Sequence, residues 1–295
     1  MRVDHSTQID QDVVEAISSL GHAHRLQILL ALDTAEREHQ KPRHTMSFSE
    51  LYKEVDIDST SQFSYHLNQL IDQFITETSD GYRLTYSGNK ITRVILSGLY
   101  ESVVPFDDTE VPGSCIFCDE PALVATVETE LFRIRCTSCD AILVTDFIPK
   151  SQSRGRTAEE IIESYGYRIW SMFLQLRGRV CPECFGLIDK DVDVYEQNGK
   201  SLYISVNRCR ECNYIITLPI EMAVAFHPSV IYWCWRYDLP LLDTPLWEFF
   251  EYLTSDVIAT EVLDEDPFVA NVEITLGDQT LNLKIEGSDS VTLIS

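Results

Sequence analysis

Eight of the nine cysteines fall in four Cys-x-x-Cys pairs: Cys115/Cys118, Cys136/Cys139, Cys181/Cys184 and Cys209/Cys212. Two intervening residues let both thiolates of one turn face a single ion, and two such turns complete a tetrahedral sulfur site. Seventeen residues separate the first two pairs and 24 the last two, each a span that a β-hairpin can bridge. The spacing therefore predicts two metal centres with four cysteine ligands each. Sulfur fills every position and leaves none for water or substrate, so the expected role is structural rather than catalytic. Zinc is the expected ion, although an iron site takes the same four cysteines. Redox Cys-x-x-Cys motifs favour a strand-to-helix setting that these pairs lack. Cys234, set among Tyr232, Trp233 and Trp235, reads as a buried structural thiol.

The segments between the pairs must then be hairpins. Ala122 to Arg135 is rich in Val, Thr, Leu, Phe and Ile. Val192 and Val194 precede Asn198-Gly199, and Leu202, Ile204 and Val206 alternate after it. Asn-Gly between alternating runs is the strongest short hairpin signal. Asp119, Asp140 and Asn213 directly follow the second cysteine of three pairs, and Phe185-Gly186 follows the other. Asp, Asn and Gly tolerate the left-handed backbone needed to leave such a turn with amides facing sulfur. Two zinc ribbons are expected.

Upstream, Val13, Val14, Ile17 and Leu20 follow a helical period that breaks at Gly21. Leu26 to Leu32 is too densely apolar for a surface helix and should be central. Ser47 and Glu50 form a capping-box pattern ahead of a short helix, Phe48 to Val55. After a turn at Asp56-Ile57-Asp58, a third helix from Ser59 should bury Phe63, Leu67, Leu70, Ile71 and Phe74. A hairpin around Ser79-Asp80-Gly81 and a last helix, Gly88 to about Val104, follow. This order is that of a winged helix-turn-helix.

The run Leu20 to Leu29, with Arg25 before Leu26, Ile28 and Leu29, resembles the opening of ArsR-type regulators. Phe48 to Leu51 and Ser59 to Leu70, with its His66-Leu67 pair, resemble their helix-turn-helix, and Asp80 to Thr85 resembles the wing. The resemblance covers residues 10 to 104; the remainder resembles, more distantly, the two-ribbon C-terminal part of haloarchaeal members of that family. It implies double-stranded DNA as partner and a homodimer on a pseudo-palindrome, with the third helix entering the major groove. Ser61, Gln62, Ser64, Tyr65, His66, Asn68 and Gln69 then become candidate readers, since Asn and Gln can bond adenine in bidentate fashion. Arg83 in the wing and Lys90 beyond it become candidate phosphate contacts. The stretch from 59 to 71 holds no Glu, which favours groove contact over a merely solvated face. Two departures from the family stand out. Phe48 to Val55 has no cysteine and Gly88 to Val104 no histidine, which disfavours direct metal sensing at the family's usual positions. His22, His24, His39 and His44 read as surface or packing residues.

Composition sets limits of its own. The chain of 295 residues holds 47 Asp and Glu against 23 Lys and Arg, a formal charge of −24, with 44% hydrophobic residues. That hydrophobic fraction is globular and argues against a disordered acidic chain. The acid is dispersed along the sequence, and Arg outnumbers Lys, 16 to 7; this resembles the salt-adapted proteins of halophilic archaea. Residues 1–100 carry 9 basic and 14 acidic side chains, the rest 14 and 33, so no basic region supplies the usual counterion-release affinity for DNA. At molar salt that contribution fades, and base contacts and shape must carry more. No apolar run reaches membrane-spanning length and the first ten residues have no apolar signal region, so no membrane association and a cytoplasmic location are expected.

The fold expectation is α+β: a winged helix-turn-helix over 1–104, a first ribbon over 105–150, a connecting helix in 151–180, a second ribbon over 181–219, and helices with short strands over 220–295. The connecting helix, Ala158 to Leu176, should bury Ile161, Ile162, Tyr165, Ile169, Trp170, Phe173 and Leu176. Pro105 to Pro112 reads as an acidic break, the stretch after Leu253 as an acidic loop, and Val272–Ile274, Thr280–Ile285 and Val291–Ile294 as strands. Trp170, Trp233, Trp235 and Trp247 could line an effector pocket, but packing accounts for them. Phosphate-loop, Rossmann, HExxH and Ser/His/Asp patterns are absent, so no enzyme is expected. The functional expectation is a transcriptional regulator of unknown effector. The rival is a zinc-stabilised adaptor whose winged helix docks protein, for which the acidic surface speaks.

Overall fold

Asp10 opens the first helix, its carboxylate accepting from the Asp12 amide at 3.0 Å, and α1 runs Gln11–Ser19. The computed structural model describes residues 10–239, 243–255, 257–288 and 290–294. Contacts divide the chain into two units of mixed α and β structure, Met1–Glu101 and Ser102–Ser295.

In the first unit α2 (Ala23–Glu38) is central, with Ile28, Leu29 and Leu32 wholly buried. Ser47 and Glu50 form the reciprocal box at the start of α3 (Phe48–Lys53): the Ser47 amide donates to Glu50 at 2.8 Å and the Glu50 amide to Ser47 at 3.3 Å. Buried Val55 and Ile57 hold the turn into α4 (Thr60–Asn68), which places Phe63 and Leu67 in the core. The helix stops short of Ile71, so Leu70 and Phe74 reach the core from the following turn. Strands β1 (Ile75–Thr78) and β2 (Gly81–Leu84) form the hairpin, and Met46 bridges to Tyr82 beside it. The last helix of the unit, α5, spans Tyr86–Leu96, capped by Thr85. It begins earlier than expected and ends eight residues before Val104, because Gly98 turns the chain at φ 72°.

The second unit has one continuous core from Val103 to Ile285. A four-stranded antiparallel sheet runs β3 (Phe106–Glu110), β4 (Leu123–Glu128), β5 (Leu131–Cys136), β6 (Ile142–Phe147). The expected acidic break is therefore in part an edge strand, whose Asp108 pairs with Arg135 across the sheet. A short helix α6 (Lys150–Ser153) leads to α7 (Ala158–Arg177), whose Thr157/Glu160 box starts a helix burying all seven expected residues together with Met172. A three-stranded sheet follows: β7 (Ile188–Gln197), β8 (Lys200–Cys209) and β9 (Ile215–Pro219). Gln197 pairs with Lys200 around the two-residue Asn198-Gly199 loop, both at positive φ as a type I′ turn requires. Then come α8 (Met222–Ala225), α9 (Pro228–Arg236) and α10 (Leu246–Thr254). A last antiparallel sheet holds β10 (Ile258–Glu265), β11 (Phe268–Leu276), β12 (Gln279–Glu286) and β13 (Ser290–Leu293). Here too an expected acidic loop is a strand: β10 is the edge, and its acids Glu261, Asp264 and Glu265 are exposed. No described helix is long and apolar enough to cross a membrane.

One buried acid tests this core. Glu221, 5% exposed, accepts from Thr260 at 2.8 Å, while its second oxygen is buried without a partner. Burial raises its pKa above the usual carboxylate value. The cost of the buried charge is full above that raised pKa and is relieved as pH falls through it. Glu221→Gln is expected to stabilise the chain by about 1 kcal/mol at pH 8, and the gain over wild type should shrink as the buffer is acidified. Urea unfolding followed by tryptophan fluorescence measures it; a less stable variant at pH 8 would contradict the assignment.

Candidate metal centres and candidate nucleic-acid interface

The four Cys-x-x-Cys turns repeat one backbone design. In each, the amide of the first cysteine donates to a carbonyl five residues on: Cys115 to Glu120 at 3.0 Å, Cys136 to Ala141 at 2.9 Å, Cys181 to Gly186 at 2.9 Å and Cys209 to Tyr214 at 2.8 Å. The residue after each second cysteine takes the left-handed conformation: Asp119 at φ 61°, Asp140 at 59°, Phe185 at 64° and Asn213 at 57°. At the third turn the bulky Phe185, not Gly186, adopts it. Gly186 is needed for space, because a Cβ there would lie 2.7 Å from the Glu211 side chain and 3.2 Å from the Cys184 sulfur. Amides of Ser138, Gly186 and Glu211 each point at a cysteine sulfur at 3.4 Å.

The turns bring the sulfurs together in two sets, Cys115/Cys118/Cys136/Cys139 and Cys181/Cys184/Cys209/Cys212, with all four sulfurs of a set within 4.8 Å of one another. Between turns the closest pairs are Cys115–Cys139 at 3.7 Å, Cys118–Cys136 at 3.6 Å, Cys181–Cys212 at 3.7 Å and Cys184–Cys209 at 3.5 Å. An ion with sulfur ligands at about 2.3 Å has tetrahedral edges of roughly 3.8 Å, so both sets can hold a metal ion. All nine cysteines are free, and Cys234 is buried. Burial pushes the Cys115 thiol up to about 12, whereas the Cys212 amide foremost draws Cys209 down to about 7. The sets differ in exposure: Cys118 and Cys139 are half-buried, Cys184 and Cys212 exposed. The tip of the β7–β8 hairpin packs on the first turn, Tyr195 on Phe117 with rings 5.5 Å apart and Lys200 on Asp119 at 2.6 Å.

On α4, Ser61, Gln62, Tyr65 and Asn68 are exposed, as is Gln69 at its C-cap, and Ser64 is half-buried. His66 is instead buried, its ring 4.1 Å from that of His22 and 5.4 Å from that of His24, with Arg25 donating to its Nδ1 at 3.4 Å. It therefore lies off the exposed face, and burial first, then the nearby His22, Arg25 and His24 charges, lowers its pKa. Arg83 is half-buried in β2 opposite Thr76. Lys90 sits on α5, its amine 5.5 Å from the centre of the Tyr86 ring. The histidine group was not legible in the sequence. His22 caps α2 by accepting from the His24 amide, and only the fold brings His66 beside it. His39 and His44 form a second pair, stacked with rings 4.2 Å apart, whereas the rings around His66 are tilted. Of the four tryptophans, Trp170, Trp233 and Trp247 are packed in the core and Trp235 is exposed.

Residues 112–291, well over half of the chain, match the family described as Domain of unknown function (DUF7351), and the chain belongs to that family. Residues 13–95 match a second description, Domain of unknown function (DUF7347). No curated protein matches the chain.

The unequal exposure gives an order of metal loss. With the protein loaded, a chromophoric chelator such as pyridylazoresorcinol is expected to draw out metal in two phases. Cys184→Ser should remove the faster phase and Cys118→Ser the slower, each lowering the content from two ions to one. Each bound ion displaces the thiol protons, so retention should weaken as pH falls. Loss of the faster phase in Cys118→Ser would contradict the assignment.

Proposed function

We propose that the chain is a DNA-binding transcriptional regulator: a winged helix-turn-helix reads operator DNA, and two zinc ribbons stiffen a C-terminal regulatory or assembly unit. The observation that carries this reading is the exposed face of α4. Phe63 and Leu67 fix the roll of the helix and leave Gln62, Tyr65, Asn68 and Gln69 exposed. They form a stripe of uncharged donors and acceptors of the kind that bonds base edges. The order of α2, α3, turn, α4 and β1–β2 supports the winged helix-turn-helix, and the His66 packing narrows the set of readers to its neighbours. Zinc suits sets of four thiolates at these separations. Val13, Val14 and Ile17 on α1, Leu96 at the end of α5 and Leu99 and Tyr100 just beyond it are exposed apolar residues of one unit, which supports a homodimer.

The adaptor reading keeps one specific support, the charge of −24. Fluorescence anisotropy with the DNA upstream of the coding sequence and a scrambled duplex, from low to multimolar KCl, separates the two. A regulator should prefer the upstream duplex, and the preference should persist at high salt. Gln62→Ala and Asn68→Ala should each weaken that binding about 10- to 100-fold if they make bidentate contacts, worth about 1–3 kcal/mol each. Equal weak binding to both duplexes, or wild-type affinity in both variants, would move the assignment to the adaptor.

A further inference from the structure

The second unit contains a cavity of about 480 Å³ that none of the four tryptophans lines. Its walls come from elements far apart in sequence: Phe117 of the first cysteine turn, Val144 on β6, Ile169 on α7, Ile204 on β8, Leu218 on β9 and Phe250 on α10. The size lies within the range of about 300–1,000 Å³ typical of small-molecule sites, which are apolar with a few placed polar groups. The polar groups here are few and unequal. Asp146 is the single charged side chain among the described lining residues. Its carboxylate is already engaged, accepting from the Tyr165 hydroxyl at 3.3 Å and pairing with Arg168 at 3.1 Å. The Tyr214 hydroxyl has a much poorer partner, the Met172 thioether sulfur at 3.4 Å. A thioether is a weak acceptor, and a sheltered phenol normally finds a better one.

We propose that this cavity binds one small, uncharged, mostly apolar molecule carrying an oxygen acceptor, which takes the hydrogen bond of the Tyr214 hydroxyl. A carbonyl or ether oxygen displaces the sulfur as acceptor, and the rings and aliphatic chains of the wall flank the rest on a space that is open on one side, where Ile142, Tyr195 and Ile215 are exposed. Among the described residues no lysine or arginine lines the space to offset the desolvation of an anion. The site is tied to both sulfur sets. Ile116 and Phe117 sit between Cys115 and Cys118, and the Tyr214 carbonyl accepts from the Cys209 amide. The metal turns thus set two of its walls. The proposal stands apart from the DNA reading, since every lining residue lies in the second unit.

The test uses the full, metal-loaded chain and prodan, a neutral naphthyl ketone whose emission reports polarity and hydrogen bonding. Saturable binding at one site per chain is expected, with blue-shifted emission. Tyr214→Phe should weaken it about fivefold, as loss of one hydrogen bond does, and shift the emission further to the blue. Ile216→Trp, which fills the space from β9, should weaken it at least tenfold. Metal content and circular dichroism verify that each variant folds; should Ile216→Trp fail that check, Tyr214→Phe decides alone. Non-saturable binding or wild-type affinity in a folded variant would overturn the proposal. So would equal or tighter binding at the same site of anilinonaphthalene sulfonate, a similar probe with a fixed negative charge.

Discussion

Four cysteine sulfurs lie within 4.8 Å of one another in each set; as thiolates they would repel, and a cation between them would turn that repulsion into a tie. The second unit offers this arrangement twice. The first cysteine of every turn, Cys115, Cys136, Cys181 and Cys209, is fully buried and belongs to the apolar core, while its partner three positions on is half-buried in the first set and exposed in the second. The sulfurs are therefore a rim of the core, where a bound ion would tie the two turns of each set together. Structural zinc contributes on the order of 10–16 kcal/mol in small domains, which exceeds the net stability of many whole domains. The rest of the unit packs around these turns: the β7–β8 hairpin lies against the first turn, and α7 backs the core.

Charge is the second constraint. Two divalent ions on eight thiolates would add about −4 to a chain already at −24. The acids sit on edges and exposed strand faces, as along β7 and β10, where water and counterions reach them. At molar salt the screening length is about 3 Å, so these charges act on near neighbours only. The first unit, with 9 basic and 14 acidic side chains in residues 1–100, has no net positive charge of its own, and the exposed face of α4 is uncharged.

Local chemistry was legible in the sequence; distant packing was not. The cysteine spacing and the residues after each pair announced the turns, because a left-handed exit is a local need that Asp and Asn meet. Ser47 with Glu50, Asn198-Gly199 and the apolar stripe of α7 were readable for the same reason. Strands β3 and β10 were missed because each is an edge strand dense in solvent-facing acids, a composition that reads as loop. The burial of His66 depends on α2 meeting α4, and the cavity on walls from Ile116 to Phe250, so no window of sequence contains either.

The central claim is that the two tetracysteine sets hold ions and that the ions are zinc. X-ray absorption at the zinc edge on the purified full chain, combined with a metal count, tests it most directly. The expected result is two zinc ions per chain in an all-sulfur shell of four ligands at about 2.3 Å. Iron in place of zinc would correct the metal. A shell containing nitrogen or oxygen, or protein that is folded with its cysteines metal-free, would contradict the account.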